Sequence, residues 1–433
     1  MPRTDENGRP GGPGAKGHSM TINTTVLAAD VMEWLYGEAV MIGDSLELIE
    51  TLAQRLRKSG LMVDRISTSI PLLHPNVRAE SALWSVDGER EMRRYFESTE
   101  TNEVYLASPL KVVYTERRSV RIRLVGNEEP PRFGITQDLI DGGYTDYIVL
   151  PMPFSDGSLK GVSFATRGRN GFSGAEIGLL EAITRPLALI CELQTLKRTS
   201  RTLMETYVGH RAGERVLEGT VHRGDGETIS AVVGFADLRG FTELSNELPG
   251  DTLIALLNAY FEAITTSVEA HGGEVLKFIG DEVMTVFPYG CPESAREASR
   301  QALLAARDAV EKISEINRTC CEKSQELRVG IALHAGDVFF GNVGAQTRLD
   351  FTVVGPVVNL ASRIAGLTRD LNQDILVSEA IADIMGCRAG LMGSFQVKGF
   401  AEPVSVFMAP LSAIGSDGDW CAETARVLAL EAN

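Results

Sequence analysis

The sequence predicts an α+β protein with two folded domains joined by a helical connector. The chain has 433 residues, which exceeds what one compact core usually holds. A stretch from 174 to about 208 carries leucines at helical spacing and separates two segments of different pattern. From Thr228 onward, short apolar strands alternate with strongly amphipathic helices, as expected of a mixed helix and sheet domain.

Composition limits the function classes. The net charge of −16 argues against a general nucleic-acid binder, because phosphates would be repelled. No apolar run approaches the ~20 residues that a membrane-spanning helix needs. None of the six cysteines forms a CxxC metal pair, which favours free thiols in a reducing compartment. We therefore expect a cytoplasmic protein without a membrane span. Residues 1–22 are rich in Gly and Pro and are predicted to be a disordered tail.

The first domain is predicted over residues 23–190. An amphipathic helix covers 43–60, capped by Asp44 or Ser45. Two apolar runs, 145–154 and 158–167, flank an Asp-Gly turn and predict a β-hairpin. The sequence SGAE at 173–176 then forms a capping box that opens a long helix.

This order of helix, strands, hairpin and closing helix resembles a GAF-type sensor domain. The resemblance implies that residues 23–190 bind a small molecule, whose identity the sequence does not give. An α+β domain of no particular family fits the same pattern nearly as well. No cysteine lies between Met1 and Ile190, which excludes thiol attachment of a bilin-type chromophore in this domain.

The connector, predicted over 191–225, has a seam typical of a two-helix coiled coil. Apolar residues alternate by four and three with one polar interruption, at Leu189, Leu193, Leu196, Ser200, Leu203 and Tyr207. Pro186 precedes the seam, so we expect the helix either to kink there or to end. The alternative is one long helix that packs within the first domain. We favour a parallel coiled coil, since a dimerising transmitter would be needed at this place.

The second domain is predicted over 226–411, followed by a C-terminal tail, 412–433, with a short helix. Its elements follow the order β-α-β-β-α-β with additions, a ferredoxin-like arrangement. The first strand delivers an aspartate within FADLRGF, and a hairpin delivers a second one at the tip IGDE. Two acidic side chains are therefore expected at the ends of neighbouring strands.

Four blocks in this domain resemble, in order and spacing, those of class III adenylate and guanylate cyclases. They are FADLRGFTELS, LKFIGDEVMTVF, TVVGPVVNLASRI and VKGFAEP, and the resemblance covers about residues 228–408. It implies cyclisation of a nucleoside triphosphate by attack of the ribose 3′-hydroxyl on the α-phosphorus. It also implies two divalent metal ions, Mg²⁺ or Mn²⁺, which need hard oxygen ligands.

The resemblance assigns the metal ligands to one subunit. Asp237 and Asp281 match the two metal aspartates, and the carbonyl of Leu238 is an additional ligand. Either aspartate alone would be interpreted as an ordinary turn or capping residue. A phosphate seat is offered by backbone N–H groups at the next helix start, those of Gly240, Phe241 and Thr242.

The remaining catalytic residues act, by the same resemblance, across a homodimer interface, so that each pocket is composite. Arg363 matches the arginine that stabilises charge on the transferring phosphate. Asn359 lies one helical turn earlier on the same face and matches the asparagine that orients the ribose. Lys398 matches the lysine that binds the terminal phosphates. Outside these blocks each would be interpreted as an ordinary surface residue.

Two positions bear on the choice of base. Lys277 lies where adenylate cyclases carry an adenine-binding lysine, and guanylate cyclases usually carry glutamate. Thr352 resembles the IIIb subgroup, and its hydroxyl can accept from the adenine amino group. The pair favours ATP, with GTP as the first alternative. A non-catalytic nucleotide-binding module is the second.

Gly234 departs from the family pattern, which usually has a large apolar residue there. Glycine inside a strand costs roughly 0.5–1 kcal/mol relative to alanine. We therefore expect a loosened strand before Asp237 and, as a consequence, lower or more conditional activity.

Overall fold

The computed structural model describes residues 24–72, 77–96, 98–126, 133–320, 326–410 and 420–431. The chain divides into two compact units, residues 1–200 and 201–433. The tail predicted at 1–22 lies outside the described residues, as does 412–419 in the C-terminal tail.

The first unit is built on a six-stranded antiparallel sheet in the order β3-β2-β1-β6-β5-β4. Its strands are β1 (Arg65–Pro71), β2 (Val77–Ser85), β3 (Arg90–Phe96), β4 (Val120–Arg123), β5 (Asp146–Pro153) and β6 (Leu159–Thr166). Its helices are α1 (Thr24–Tyr36), a short 3-10 helix (Glu38–Met41), α2 (Ser45–Lys58), α3 (Thr99–Leu106), α4 (Pro109–Glu116), α5 (Thr136–Asp141) and α6 (Gly174–Val208).

Two apolar clusters flank this sheet. One joins α1, α2 and the first half of α6 to the sheet, and the other lies between the sheet, α4 and α5. The predicted helix and hairpin are both confirmed. Asp44 caps α2 by accepting a hydrogen bond from the Glu47 N–H at 2.8 Å. Strands β5 and β6 pair antiparallel around a turn in which Gly157 has a φ of 81°. Assignment of the unit to the GAF family stays a prediction.

Helix α6 begins with the predicted capping box and does not end at Pro186. The Ser173 N–H donates to Glu176 at 2.7 Å, and the Glu176 N–H donates back to the Ser173 hydroxyl at 3.3 Å. The helix continues to Val208, so of the two alternatives expected at Pro186, a kink or an end, the end is wrong. Several seam residues are exposed in the single chain, Leu189, Leu193, Leu196 and Tyr207 among them. Their pairing as a coiled coil stays a prediction.

The second unit contains an eight-stranded sheet in the order β13-β14-β12-β10-β7-β9-β8, with β11 paired to β10. Its strands are β7 (Gly226–Leu238), β8 (Glu274–Ile279), β9 (Glu282–Tyr289), β10 (Val329–Ala345), β11 (Arg348–Val354), β12 (Ile375–Ser378), β13 (Leu391–Phe395) and β14 (Val404–Met408). Its helices are α7 (His210–Leu217), α8 (Phe241–Glu247), α9 (Gly250–Ala270), α10 (Pro292–Cys320), α11 (Pro356–Asp370), α12 (Glu379–Met385) and α13 (Trp420–Glu431).

The centre of this sheet has the predicted topology. Strands β10, β7, β9 and β8 are neighbours and antiparallel, which is the strand order 4-1-3-2 of a ferredoxin-like unit. One apolar cluster joins α9, α10 and α12 to one face of the sheet, and another joins α7 and α11 to the other face. This layering fixes the ends of β7 and β9, where the two expected aspartates lie.

Two further expectations concern composition. Among the described helices, none combines the length and apolar character required to cross a bilayer. Among the described cysteines, buried Cys191 and exposed Cys291 are free thiols.

Candidate active site

The two predicted metal aspartates lie at the same end of the sheet. The β7–β9 ladder ends at the pair Ala236 and Val283, so Asp237 is the next residue beyond it. The β8–β9 hairpin turns through Gly280 and Asp281, with a left-handed φ of 69° at the glycine. Register and turn length together therefore bring the two carboxylates next to each other.

The carboxylates at this end of the sheet lie close enough to alter one another's pKa. Burial raises the pKa of Asp237, and the neighbouring Asp281 carboxylate raises it further, while Arg369 and Arg239 oppose the rise. Burial and the same two aspartates raise the pKa of Glu282 to about 7. Neighbouring carboxylate oxygens that repel one another match the preference of Mg²⁺ and Mn²⁺ for hard oxygen ligands.

Glu282 was missed by the sequence analysis, although it directly follows Asp281. Across the described ranges, no three or more His, Cys, Asp or Glu side chains form a metal-holding group. A metal at Asp237 and Asp281 would thus need main-chain or substrate oxygens to complete its coordination. The Leu238 carbonyl is the predicted main-chain ligand; its side chain is buried.

Two residues that the sequence analysis did not assign to the site hold the strand on either side of Asp237. The fully buried Tyr260 hydroxyl donates to the carbonyl of Ala236 at 3.1 Å. The Arg239 guanidinium donates to carbonyls at the end of α11 and in the loop that follows, those of Thr368 and Gln373. In the sequence, Tyr260 was visible only as one member of the apolar face of a helix.

The predicted phosphate seat lies at the start of α8. Gly240 precedes this helix with a φ of 73°, a conformation that favours glycine, and Phe241 and Thr242 are its first residues. The Leu244 N–H donates to the Gly240 carbonyl at 3.0 Å and closes the first turn. Binding of phosphate by these N–H groups stays a prediction.

Asn359 and Arg363, which are predicted to act on substrate bound by the other subunit, lie on helix α11. Buried Ala361, Ile364 and Ala365 fix the helix against the sheet, while Asn359 and Arg363 are exposed. Lys398 is also exposed, in the segment between β13 and β14. Within the part of the chain that the structure describes, no hydrogen bond or ion pair joins these three side chains to the acidic pair.

An acidic residue, Asp350, lies near both predicted base-binding residues. Lys277 on β8 forms an ion pair with Asp350 on β11. Thr352 lies two residues further along β11, so its side chain leaves the same face of the strand as Asp350. Its hydroxyl is buried and has no hydrogen-bond partner among the described residues. Asp350 was missed by the sequence analysis, because its contact with Lys277 joins two distant segments.

Gly234 is tightly packed, contrary to the expectation of a loosened strand at this position. A Cβ atom there would lie 2.4 Å from the Thr285 hydroxyl oxygen and 3.1 Å from the Leu333 Cδ2 atom. The two neighbouring strands thus fill the space that a larger residue would take. This finding removes the reason to expect a loosened strand before Asp237.

Comparison with known families supports a class III cyclase catalytic domain in the second unit. Residues 226–409 match the family model described as the adenylate and guanylate cyclase catalytic domain. An adenylate cyclase of Anabaena cylindrica is 30% identical over 191 residues, which are 42% of this chain and 37% of the relative. An uncharacterized protein of Mycobacterium tuberculosis is 31% identical over 207 residues, 48% of this chain and 36% of the relative. The chain therefore spans less than two fifths of the length of these two relatives.

The solved structures with a similar sequence include one named as an adenylyl cyclase and one named as a guanylyl cyclase. The adenylyl cyclase CyaB from P. aeruginosa is 30% identical, with 42% of this chain and 94% of that chain covered and a TM-score of 0.37. The guanylyl cyclase Cya2 is 29% identical, with 44% and 96% covered and a TM-score of 0.39.

Proposed function

We propose that the protein is an adenylate cyclase that converts ATP to 3′,5′-cyclic AMP and pyrophosphate. The observation that carries this proposal is the meeting of Asp237 and Asp281 at one end of the sheet inside a cyclase-type domain. Such a carboxylate pair has little structural use, since both groups repel each other and one has a raised pKa.

The residues present fit two divalent ions, Mg²⁺ or Mn²⁺. Asp237, Asp281 and the carbonyl of Leu238 would hold them. When bound, the ions supply charge neutralisation for the triphosphate and activation of the ribose 3′-hydroxyl. Tyr260 and Arg239 hold the strand from both sides of Asp237, so that the carboxylate is already positioned before the substrate arrives.

The second half of each pocket comes, in this proposal, from the twin subunit. Asn359 and Arg363 lie exposed on one face of α11 and would orient the ribose and stabilise charge on the transferring phosphate. Exposed Lys398 would bind the terminal phosphates. A homodimer therefore has two equivalent composite sites, and a monomer has none.

ATP is favoured over GTP by the groups near the base. Lys277 offers a donor for the adenine N1 atom, and the Thr352 hydroxyl offers an acceptor for its amino group. The buried Thr352 oxygen without a partner supports this role, since an unsatisfied polar atom otherwise costs about 1–3 kcal/mol.

Regulation by the first unit, as a GAF-like sensor of a small molecule, is part of the proposal. Helix α6 is firmly tied to that unit near its seam. Buried Glu192 accepts hydrogen bonds from the Ser155 N–H in the β5–β6 turn, and buried Gln194 accepts one from the Ser45 hydroxyl. A ligand that moves the hairpin would therefore move the helix that leads to the catalytic unit.

A turnover assay with purified full-length protein tests the proposal. ATP and GTP are supplied separately with Mn²⁺ or Mg²⁺, and cyclic nucleotide and pyrophosphate are both measured. We expect cyclic AMP from ATP, abolished in Asp237→Ala and retained in the control Glu297→Gln, an exposed ion-pair acid on α10. Preferred turnover of GTP would make the protein a guanylate cyclase, and turnover of neither would refute catalysis.

A further inference from the structure

We propose that Asp350 determines base specificity by positioning the Lys277 ammonium group in front of the buried Thr352 hydroxyl. The inference rests on the proposed function, since it assumes that a purine nucleotide occupies this site. It adds a residue outside the four matched sequence blocks. Asp350 acts through Lys277 and is a positioning residue.

The pairing of β8 is irregular directly before Lys277. The β8–β9 pairing shifts register between Val275 and Lys277, which marks a β-bulge directly before the lysine. Bulges change the direction in which the following side chain leaves the strand. The Lys277 ammonium then forms its ion pair with the Asp350 carboxylate.

Asp350, Lys277 and Thr352 differ in how far they are exposed to solvent. The side chain of Asp350 is 60% exposed, that of Lys277 is 27% exposed, and Thr352 is 6% exposed as a residue. Of the three side chains, Asp350 is therefore the most exposed to solvent and Thr352 the most deeply buried. Opposite Thr352 in the β10–β11 ladder is Gly341, which contributes no side chain.

Lys277 thus offers a donor that an ion pair holds, and Thr352 offers an acceptor without a partner among the described residues. The edge of adenine offers an acceptor at N1 next to an amino donor, which complements that pair. The edge of guanine offers an acceptor at O6 next to an N1–H donor, so a lysine free to move could serve guanine as well. An ion pair that holds the Lys277 ammonium in one position keeps its donor at the place of the adenine N1 atom. The ammonium then cannot move to the guanine O6 atom, and adenine is preferred. The ion pair is partly exposed to solvent and therefore contributes little to folding stability.

The test is a comparison of ATP and GTP kinetics in Asp350→Asn, Lys277→Ala and the double variant. We expect Asp350→Asn to lower the ATP-to-GTP ratio of kcat/KM by about tenfold, mainly through the KM for ATP. In the Lys277→Ala background the same change should have no further effect, because Asp350 acts only through the lysine. Asp350→Glu should restore most of the ratio.

Controls separate this role from a structural one. Glu297→Gln, which removes another exposed ion pair of the same unit, should leave the ratio unchanged. The thermal midpoint of Asp350→Asn should equal that of the wild type. An unchanged ratio in an active Asp350→Asn enzyme would overturn the inference alone. Absence of both turnover and ATP-analogue binding in the wild type would overturn it together with the proposed function.

Discussion

Replacing Gly234 by alanine should destabilise the catalytic unit, although alanine is the better strand residue. The new methyl group would lie 2.4 Å from the Thr285 hydroxyl oxygen and 3.1 Å from the Leu333 Cδ2 atom, both within a paired three-strand region. Overpacking of this kind costs about 1–3 kcal/mol, and the intrinsic gain from removing a glycine returns about 0.5–1 kcal/mol. Taking the middle of each range, we expect a net loss of about 1 kcal/mol in the free energy of unfolding.

Urea denaturation of four proteins measures this effect: the wild type, Gly234→Ala, Thr285→Ala and the double variant. Thr285→Ala removes the atom that the new methyl group meets. The double variant should therefore be more stable than the sum of the single changes predicts, by about 1 kcal/mol. Gly250→Ala is the matched control, since nothing lies within 4 Å of a Cβ atom there. A Gly234→Ala protein as stable as the wild type, or strictly additive effects, would refute the packing argument.

Three further predictions concern the site and its support. Mixing Asp281→Ala with Arg363→Ala subunits should restore about one quarter of wild-type turnover, because half of the randomly paired dimers are mixed and each of these has one intact pocket out of two. If the subunits are shown to exchange and no turnover is recovered, the shared site is contradicted. Burial lowers the pKa of His334 from 6.5 to about 4. The unfolded chain therefore takes up a proton at a higher pH than the folded chain, and the free energy of unfolding should fall by about 1–2 kcal/mol between pH 7.5 and pH 5. Denaturation midpoints across that range should show a smaller fall in His334→Gln, and equal falls would refute this origin. Tyr260→Phe removes the 3.1 Å hydrogen bond to the Ala236 carbonyl and should cost about 1–2 kcal/mol. It should also raise the metal concentration that gives half-maximal turnover, and an unchanged metal requirement would show that the bond does not position Asp237.

The sequence correctly predicts features whose contacts join residues close together in the chain. The capping box before α6 and the Asp-Gly turn between β5 and β6 form as predicted, because their hydrogen bonds close within a few residues. The strand order around β7 also follows from the alternating pattern and the known preference of this element order.

The features that the sequence did not predict depend on contacts between residues far apart in the chain. Helix α6 passes through Pro186 because residues on both sides of the proline, including Ile183 before it and Leu187 after it, are buried in the core of the first unit. Packing of that kind outweighs the lost backbone hydrogen bond. Asp350 could not be assigned, since its partner Lys277 lies on another strand. The close packing at Gly234 likewise depends on side chains from two other strands.

The Arg239 side chain has a consequence for how two pockets in a dimer would communicate. It joins the segment just after Asp237 to the end of α11, the helix that carries Arg363. In a dimer with shared pockets, those two residues of one chain would serve different substrate molecules. A displacement of the metal-holding strand in one pocket would then travel through this guanidinium to the arginine of the other. The two turnovers would be mechanically linked, and cooperative kinetics would be the natural behaviour of such a pair.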